Sequence, residues 1–145
     1  MVGVPLLGVL LVLHAGEGLS APTAIHGTWR VRTMDLPAAA ARCLAGITPD
    51  SMHTMVLSQS GPEVTVAIRS ADQSDWADAT VRIAGAAASG TLAGGAVSDC
   101  AGPVRLSLTF GSRPVADSLF GTVADPACAT CALLTFVATR RARTR

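Results

Sequence analysis

The sequence contains no lysine and no tyrosine, and aromatic residues make up only 3% of its 145 residues. All 11 basic residues are arginine, and the formal net charge is +1. Nucleic-acid binding surfaces combine aromatic rings with strong positive charge, so this composition excludes a nucleic-acid partner. Charged residues are scarce at 14% against 50% hydrophobic residues, which excludes intrinsic disorder. The length suits one compact domain.

Only the N-terminal region carries a long apolar run, from Val4 to Leu13. A helix of that length rises about 15 Å, which is too short to cross a bilayer but fits the core of a signal peptide. The triplet Leu19-Ser20-Ala21 follows as a candidate cleavage site, although Pro22 directly after it is unfavourable. We therefore expect residues 1–21 to be a signal peptide, with an uncleaved anchor as the alternative. The mature chain is then secreted or periplasmic and has no stable membrane span.

Alternation of apolar and polar residues dominates the chain from Ile25 onward. A period of two is typical of strands with one buried face. It predicts eight strands, at 25–34, 52–59, 63–69, 79–84, 91–97, 104–110, 118–124 and 132–140. The alanine-rich stretch 38–44 predicts one short helix after the first strand. The fold class is therefore all-β, an eight-stranded antiparallel up-and-down barrel over residues 22–140, with a basic tail at 141–145.

An eight-stranded outer-membrane barrel is the alternative at this length. Such a barrel needs aromatic girdles at both membrane interfaces, whereas this chain has two tryptophans, three phenylalanines and no tyrosine. Several arginines also alternate with the best apolar rows and are predicted to face water: Arg30, Arg32, Arg69, Arg82 and Arg105. These observations favour a barrel surrounded by water.

The tripeptide Gly27-Thr28-Trp29 in the first strand and Arg140 at the end of the last resemble the lipocalin-like (calycin) barrels. The resemblance implies that Arg140 packs over the Trp29 ring, combining cation–π attraction with apolar cover. The chain also looks like small exported bacterial barrels, some of which bind hydrophobic ligands and some of which inhibit secreted metalloproteases. Trp29 is either a plain core residue or a ligand contact.

The four cysteines lie in the first, fifth and seventh connections between the predicted strands, all of which are odd-numbered. In a meander these connections share one end of the barrel, here called the odd-loop end, and the others form the even-loop end. Export favours disulfides. Barrel closure places the seventh connection between the first and the fifth, so we expect Cys43 to pair with Cys131 and Cys100 with Cys128. A local Cys128–Cys131 bridge, a thioredoxin-like motif and a four-cysteine zinc site are the alternatives. We expect no metal and no cofactor.

Two further groups of residues raise the question of other chemistry. Asp72, Asp75 and Asp78 are expected in one loop, where a solvated turn is favoured over a calcium site because a bidentate glutamate is missing. His26 and His53 are accompanied by neither a nucleophile elbow nor a zinc-protease helix. The chain is therefore not expected to be an enzyme.

The function predicted from these features is non-enzymatic binding of a small hydrophobic molecule at the odd-loop end. The candidate ligand-binding residues are Trp29, Trp76, Leu92 and Phe110. The alternative is an exported protein as partner, with the chain acting as a protease inhibitor through its loops or through a flexible segment at 21–25. A monomer is expected in either case.

Overall fold

The structure, a computed structural model, describes residues 21–36, 44, 47, 52–97, 100, 102–111, 114–124 and 134–141. Eight antiparallel strands make up this part of the chain. They are β1 (Gly27–Asp35), β2 (Met52–Ser60), β3 (Glu63–Arg69), β4 (Asp75–Ala84), β5 (Ala87–Ala93), β6 (Val104–Thr109), β7 (Ser118–Ala124) and β8 (Leu134–Arg140).

The strands form a closed barrel in which each strand pairs with the next along the chain. Closure is completed by pairing of β1 with β8, where Val31 lies opposite Ala138. Closure leaves no exposed sheet edge, which removes a template for aggregation. The all-β, up-and-down prediction is thus confirmed. The predicted helix at 38–44 lies outside the described residues except for Leu44, which is buried.

The side chains alternate between the barrel interior and solvent as the sequence pattern predicts. On β3, Val64, Val66 and Ile68 are buried, and the side chains between them are more exposed. All five arginines that were predicted to face water are exposed. Within the described part of the chain, no helix has both the length and the apolar character that a membrane span requires.

Strand β4 begins at Asp75, four residues before the predicted start at Ala79. A register shift between Ile68 and Arg69 interrupts the pairing of β3 with β4. At this irregularity Trp76 and Ala77 are both buried, although they are consecutive. A bulge of this kind breaks the period of two. The alternation of apolar and polar residues therefore does not predict that Trp76 and Ala77 belong to the strand.

Strand β5 covers Ala87–Ala93 instead of the predicted 91–97. Gly85 has a φ of +63° and, with Ala86, forms a two-residue turn between β4 and β5. Glycine at the first position is typical of type II′ hairpins, so the strand begins immediately after this turn. The strand ends before Gly94, which has a φ of +115°, and a 3₁₀ turn at Gly95–Val97 follows.

Candidate functional site

The even-loop end of the barrel is closed by residues 23–25, which we call the strap. Ala24 forms a parallel bridge with Val115. Its amide donates to the Pro114 carbonyl at 2.8 Å, and its own carbonyl accepts from the Ala116 amide at 3.1 Å. The Gln59 side chain holds the strap from the other side, accepting from the Ile25 amide at 2.8 Å. Ile25 is fully buried, so the strap is part of the core.

This finding corrects the prediction that residues 21–25 are a flexible segment. Thr23 is 9% exposed and Ile25 0% exposed. The Gln59 amide also donates to the Thr23 carbonyl at 3.1 Å. A loss of protease inhibition on deleting these residues would therefore not identify an inhibitory segment, because the deletion also removes buried side chains from the core.

Arg140 covers the strap and Trp29. The guanidinium carbon lies 4.4 Å from the centroid of the Trp29 ring. The same group donates hydrogen bonds to the carbonyls of Ala116, His26 and Ala24. The indole NH of Trp29 donates to the carbonyl of Ile25 at 2.9 Å. The stacking of Arg140 on Trp29 that the calycin resemblance implied is thus present.

Gly27 is required by the backbone at this end of the barrel. Its φ is +132°, a conformation that L side chains rarely adopt. A Cβ atom at this position would also lie 2.7 Å from Nη1 of Arg140. The φ angle and the approach of Arg140 therefore both explain why the Gly27-Thr28-Trp29 motif begins with glycine.

We expect Gly27→Ala to lower the free energy of unfolding by about 1–3 kcal/mol, because alanine is strained at this φ. Chemical denaturation followed by circular dichroism measures the change. Gly95→Ala is the control, since Gly95 has no positive φ and no atom within 4 Å of an added Cβ. Equal stabilities of the two variants would contradict this account of Gly27.

At the opposite end, the odd-loop end, the strands enclose a cavity of about 20 Å³. This volume holds roughly one water molecule. Two polar side chains, Thr33 and His53, line it together with Trp76. The remaining wall is apolar and comes from four strands and one loop: Val31, Ile47, Ile68, Val123, Leu134 and Phe136. The interior at this end is therefore well packed and almost entirely apolar.

His53 is the unusual member of this wall. It is 4% exposed, and its Nε2 atom is buried without a hydrogen-bond partner. Its ring meets the Trp76 ring edge to face, with 4.9 Å between centroids. Burial lowers the pKa of His53 below its ordinary value of 6.5, because the charged imidazolium loses hydration. The imidazole is consequently neutral at pH 7.

The depressed pKa of His53 predicts that acidification destabilises the fold. Below pH 6.5 the unfolded chain binds more protons than the folded chain, so the free energy of unfolding falls as pH decreases. We expect His53→Phe to flatten this dependence between pH 7 and pH 5, as measured by urea denaturation. A wild-type slope in His53→Phe would refute the assignment.

The four predicted ligand-binding residues are divided between the two ends of the barrel. Trp76 and Leu92 are buried towards the odd-loop end. Trp29 lies beneath Arg140 at the even-loop end, where the Phe110 amide donates to the Ala86 carbonyl of the β4–β5 turn. Their contact with a ligand stays a prediction. The buried position of His53 was missed, although its spacing from Met55 and Leu57 places it on the same inward face.

The three aspartates do not share one loop. Asp72 lies in the β3–β4 turn and accepts hydrogen bonds from the Ser74 amide at 3.0 Å and hydroxyl at 2.6 Å. These bonds lower the pKa of Asp72. Asp75 and Asp78 belong to β4 instead. Among the described residues, no group of three or more histidine, cysteine, aspartate or glutamate side chains is placed to hold a metal ion.

Of the four cysteines, Cys100 lies within the described residues. It packs half-buried against the core and is not a free thiol. Its amide donates to the Val97 carbonyl in the β5–β6 connection. The other three, Cys43, Cys128 and Cys131, lie outside the described residues, so the two proposed bridges stay predictions.

The bridge pattern is open to a direct test. Under non-reducing conditions, trypsin should leave the peptides that begin at Cys43, Ile83 and Leu106 joined as one species, which mass spectrometry resolves after reduction. Each bridge would close a loop of roughly 30 or 90 residues and stabilise the chain by about 3–5 kcal/mol. A Leu106 peptide that carries an internal bridge and no partner would contradict both pairings.

Comparison with known proteins rests on structure, because no family model and no curated protein matches the sequence. The REP1-NXSQ fatty acid transporter matches with a TM-score of 0.53 at 10% identity, covering 83% of this chain and 98% of the transporter. A variant of the fluorescent protein UnaG matches with a TM-score of 0.50 at 12% identity, covering 82% of this chain and 97% of UnaG.

Both solved structures are similar in fold to the closed eight-stranded barrel of this chain. At 10% and 12% identity the likeness concerns the fold. Function depends on the site.

Proposed function

We propose that this chain is a non-enzymatic, exported barrel that binds a small hydrophobic ligand at its odd-loop end. The observation that carries the proposal is the difference between the two ends. At the even-loop end, the strap and Arg140 cover Trp29 with hydrogen bonds to backbone carbonyls. At the odd-loop end, the wall next to the cavity is apolar apart from two side chains.

The similarity to a fatty acid transporter supports this proposal, since that protein has the same type of barrel. Small-molecule sites are usually concave and mostly apolar, with a few polar groups. The odd-loop end has this composition. Its cavity of about 20 Å³ is far below the several hundred Å³ of an occupied ligand site. Ligand entry therefore requires side chains such as Ile68, Val123 and Leu134 to separate.

The two tryptophans provide reporters for the position of the ligand. Trp76 lines the odd-loop cavity, and Trp29 lies at the even-loop end. A bromoalkane quenches tryptophan fluorescence at short range, so titration with 1-bromodecane locates the site. We expect quenching in the wild type and in Trp29→Phe, and its loss in Trp76→Phe.

The same titration also shows which results would contradict ligand binding at the odd-loop end. Quenching that survives in Trp76→Phe but disappears in Trp29→Phe would place the ligand at the even-loop end. Absence of quenching in the folded wild type would refute the binding of small apolar molecules. Far-ultraviolet circular dichroism of each variant verifies that the barrel is intact.

A further inference from the structure

A residue that lines the odd-loop cavity carries an unpaired hydrogen-bonding atom. Among the described residues, Nε2 of His53 is the buried side-chain nitrogen or oxygen that has no hydrogen-bond partner. Leaving such an atom unpaired is unfavourable, which is why buried polar atoms nearly always have a partner. His53 lines the cavity, and the cavity is large enough for one small polar group.

The surroundings of His53 decide which polar group fits. None of the residues described around the cavity is an arginine, aspartate or glutamate. A carboxylate placed there would lose its hydration without gaining a counter-charge, which is unfavourable. A hydroxyl group carries no charge and either donates to or accepts from a neutral imidazole. Apolar side chains on the other walls suit a hydrocarbon attached to it.

We propose that the odd-loop site selects an uncharged apolar molecule that bears a hydroxyl group, and that His53 Nε2 is its hydrogen-bond partner. This inference rests on the proposed function and makes it more specific. The hydroxyl occupies the cavity beside His53 and Thr33, and the hydrocarbon lies among Ile68, Val123 and Leu134. The edge-to-face contact with Trp76 holds the imidazole in position.

Competition against the neutral fluorescent probe N-phenyl-1-naphthylamine tests this selectivity at pH 7.5. The competitors are 1-decanol, decanoate and 1-chlorodecane, which share a hydrocarbon chain and differ in the terminal group. We expect 1-decanol to bind at least about tenfold more tightly than decanoate, because the described residues that line the cavity offer the carboxylate no counter-charge.

Variants of His53 separate its hydrogen bond from its volume. His53→Phe should weaken 1-decanol by about 3–10-fold, the value of one buried hydrogen bond, and change 1-chlorodecane less than twofold. His53→Gln keeps a hydrogen-bonding group and should retain part of the preference. The exposed His26 is the matched control, and His26→Phe should change none of the three affinities.

The outcomes distinguish this inference from the proposed function. If the probe binds but 1-decanol and decanoate compete equally, the hydroxyl selectivity is wrong and hydrophobic binding stands. Equal weakening of 1-decanol and 1-chlorodecane in His53→Phe would also overturn it, since it would indicate a steric role for the ring. If neither the probe nor any competitor binds the folded wild type, the proposed function and this inference both fail.

Discussion

Arg140→Ala should lower the free energy of unfolding by about 3–4 kcal/mol, the largest effect expected of any arginine in the barrel. The substitution removes hydrogen bonds from a charged group to the carbonyls of Ala24, His26 and Ala116. It also uncovers the ring of Trp29, which the guanidinium carbon approaches at 4.4 Å. Urea denaturation with tryptophan emission as the signal measures both the loss and the exposure of the indole.

Arg82→Ala is the matched control for this prediction. Arg82 lies 3.6 Å from Glu63, with 70% and 66% of their side chains exposed. Such exposed pairs contribute about 0–1 kcal/mol. Arg140→Lys should lose most of the stability as well, because an ammonium group lacks the planar fork that reaches several carbonyls. If Arg140→Ala lost no more stability than Arg82→Ala, the result would refute the conclusion that Arg140 stabilises the strap and Trp29 at the even-loop end.

The second large effect concerns Phe136 and Gly121, which lie opposite each other on β8 and β7. The Phe136 ring lies over the glycine, and a Cβ atom on Gly121 would meet ring carbons at 2.0–2.5 Å. Phe136→Ala should cost about 3–5 kcal/mol by leaving a cavity. Gly121→Ala should cost about 1–3 kcal/mol by forcing the ring to move.

A double-mutant cycle shows whether these two costs share one cause. With Phe136 already replaced by alanine, the methyl group of Gly121→Ala enters vacated space, so the second substitution should be neutral or stabilising. The coupling free energy is expected to be about 1–3 kcal/mol. Gly111→Ala is the control, because an added Cβ there has no atom within 4 Å. Additive costs for the pair would show that the ring does not depend on the glycine.

Much of the fold is predictable from the sequence because a sheet with one buried face imposes a local period of two. On β6, for example, Val104, Leu106 and Leu108 are buried and Arg105 is exposed, as the alternation indicates. The period fails where the pairing is irregular. The bulge beside Arg69 buries both Trp76 and Ala77, and no local pattern identifies such a bulge.

The candidate site is less predictable than the fold. The sequence pattern predicts Trp76 as a ligand contact in the loop before the fourth strand. In the structure Trp76 lies in β4 and packs against His53. His53 was considered only as a catalytic residue. Its inward position follows from the spacing to Met55 and Leu57, but its unpaired Nε2 depends on neighbours that are distant in sequence. Residue type alone does not distinguish a solvated histidine from a buried one.

The sequence by itself determined the number and order of the strands and most of their inward faces, because these follow from a local period of two, and the resemblance to the calycin barrels implied the Arg140–Trp29 pair. Only the tertiary structure decided that residues 23–25 close one end and that a glycine on β7 accommodates the ring of Phe136. The same is true of the small cavity beside His53. These features arise where separate strands meet after closure, and the distances between their side chains depend on the register of the whole barrel.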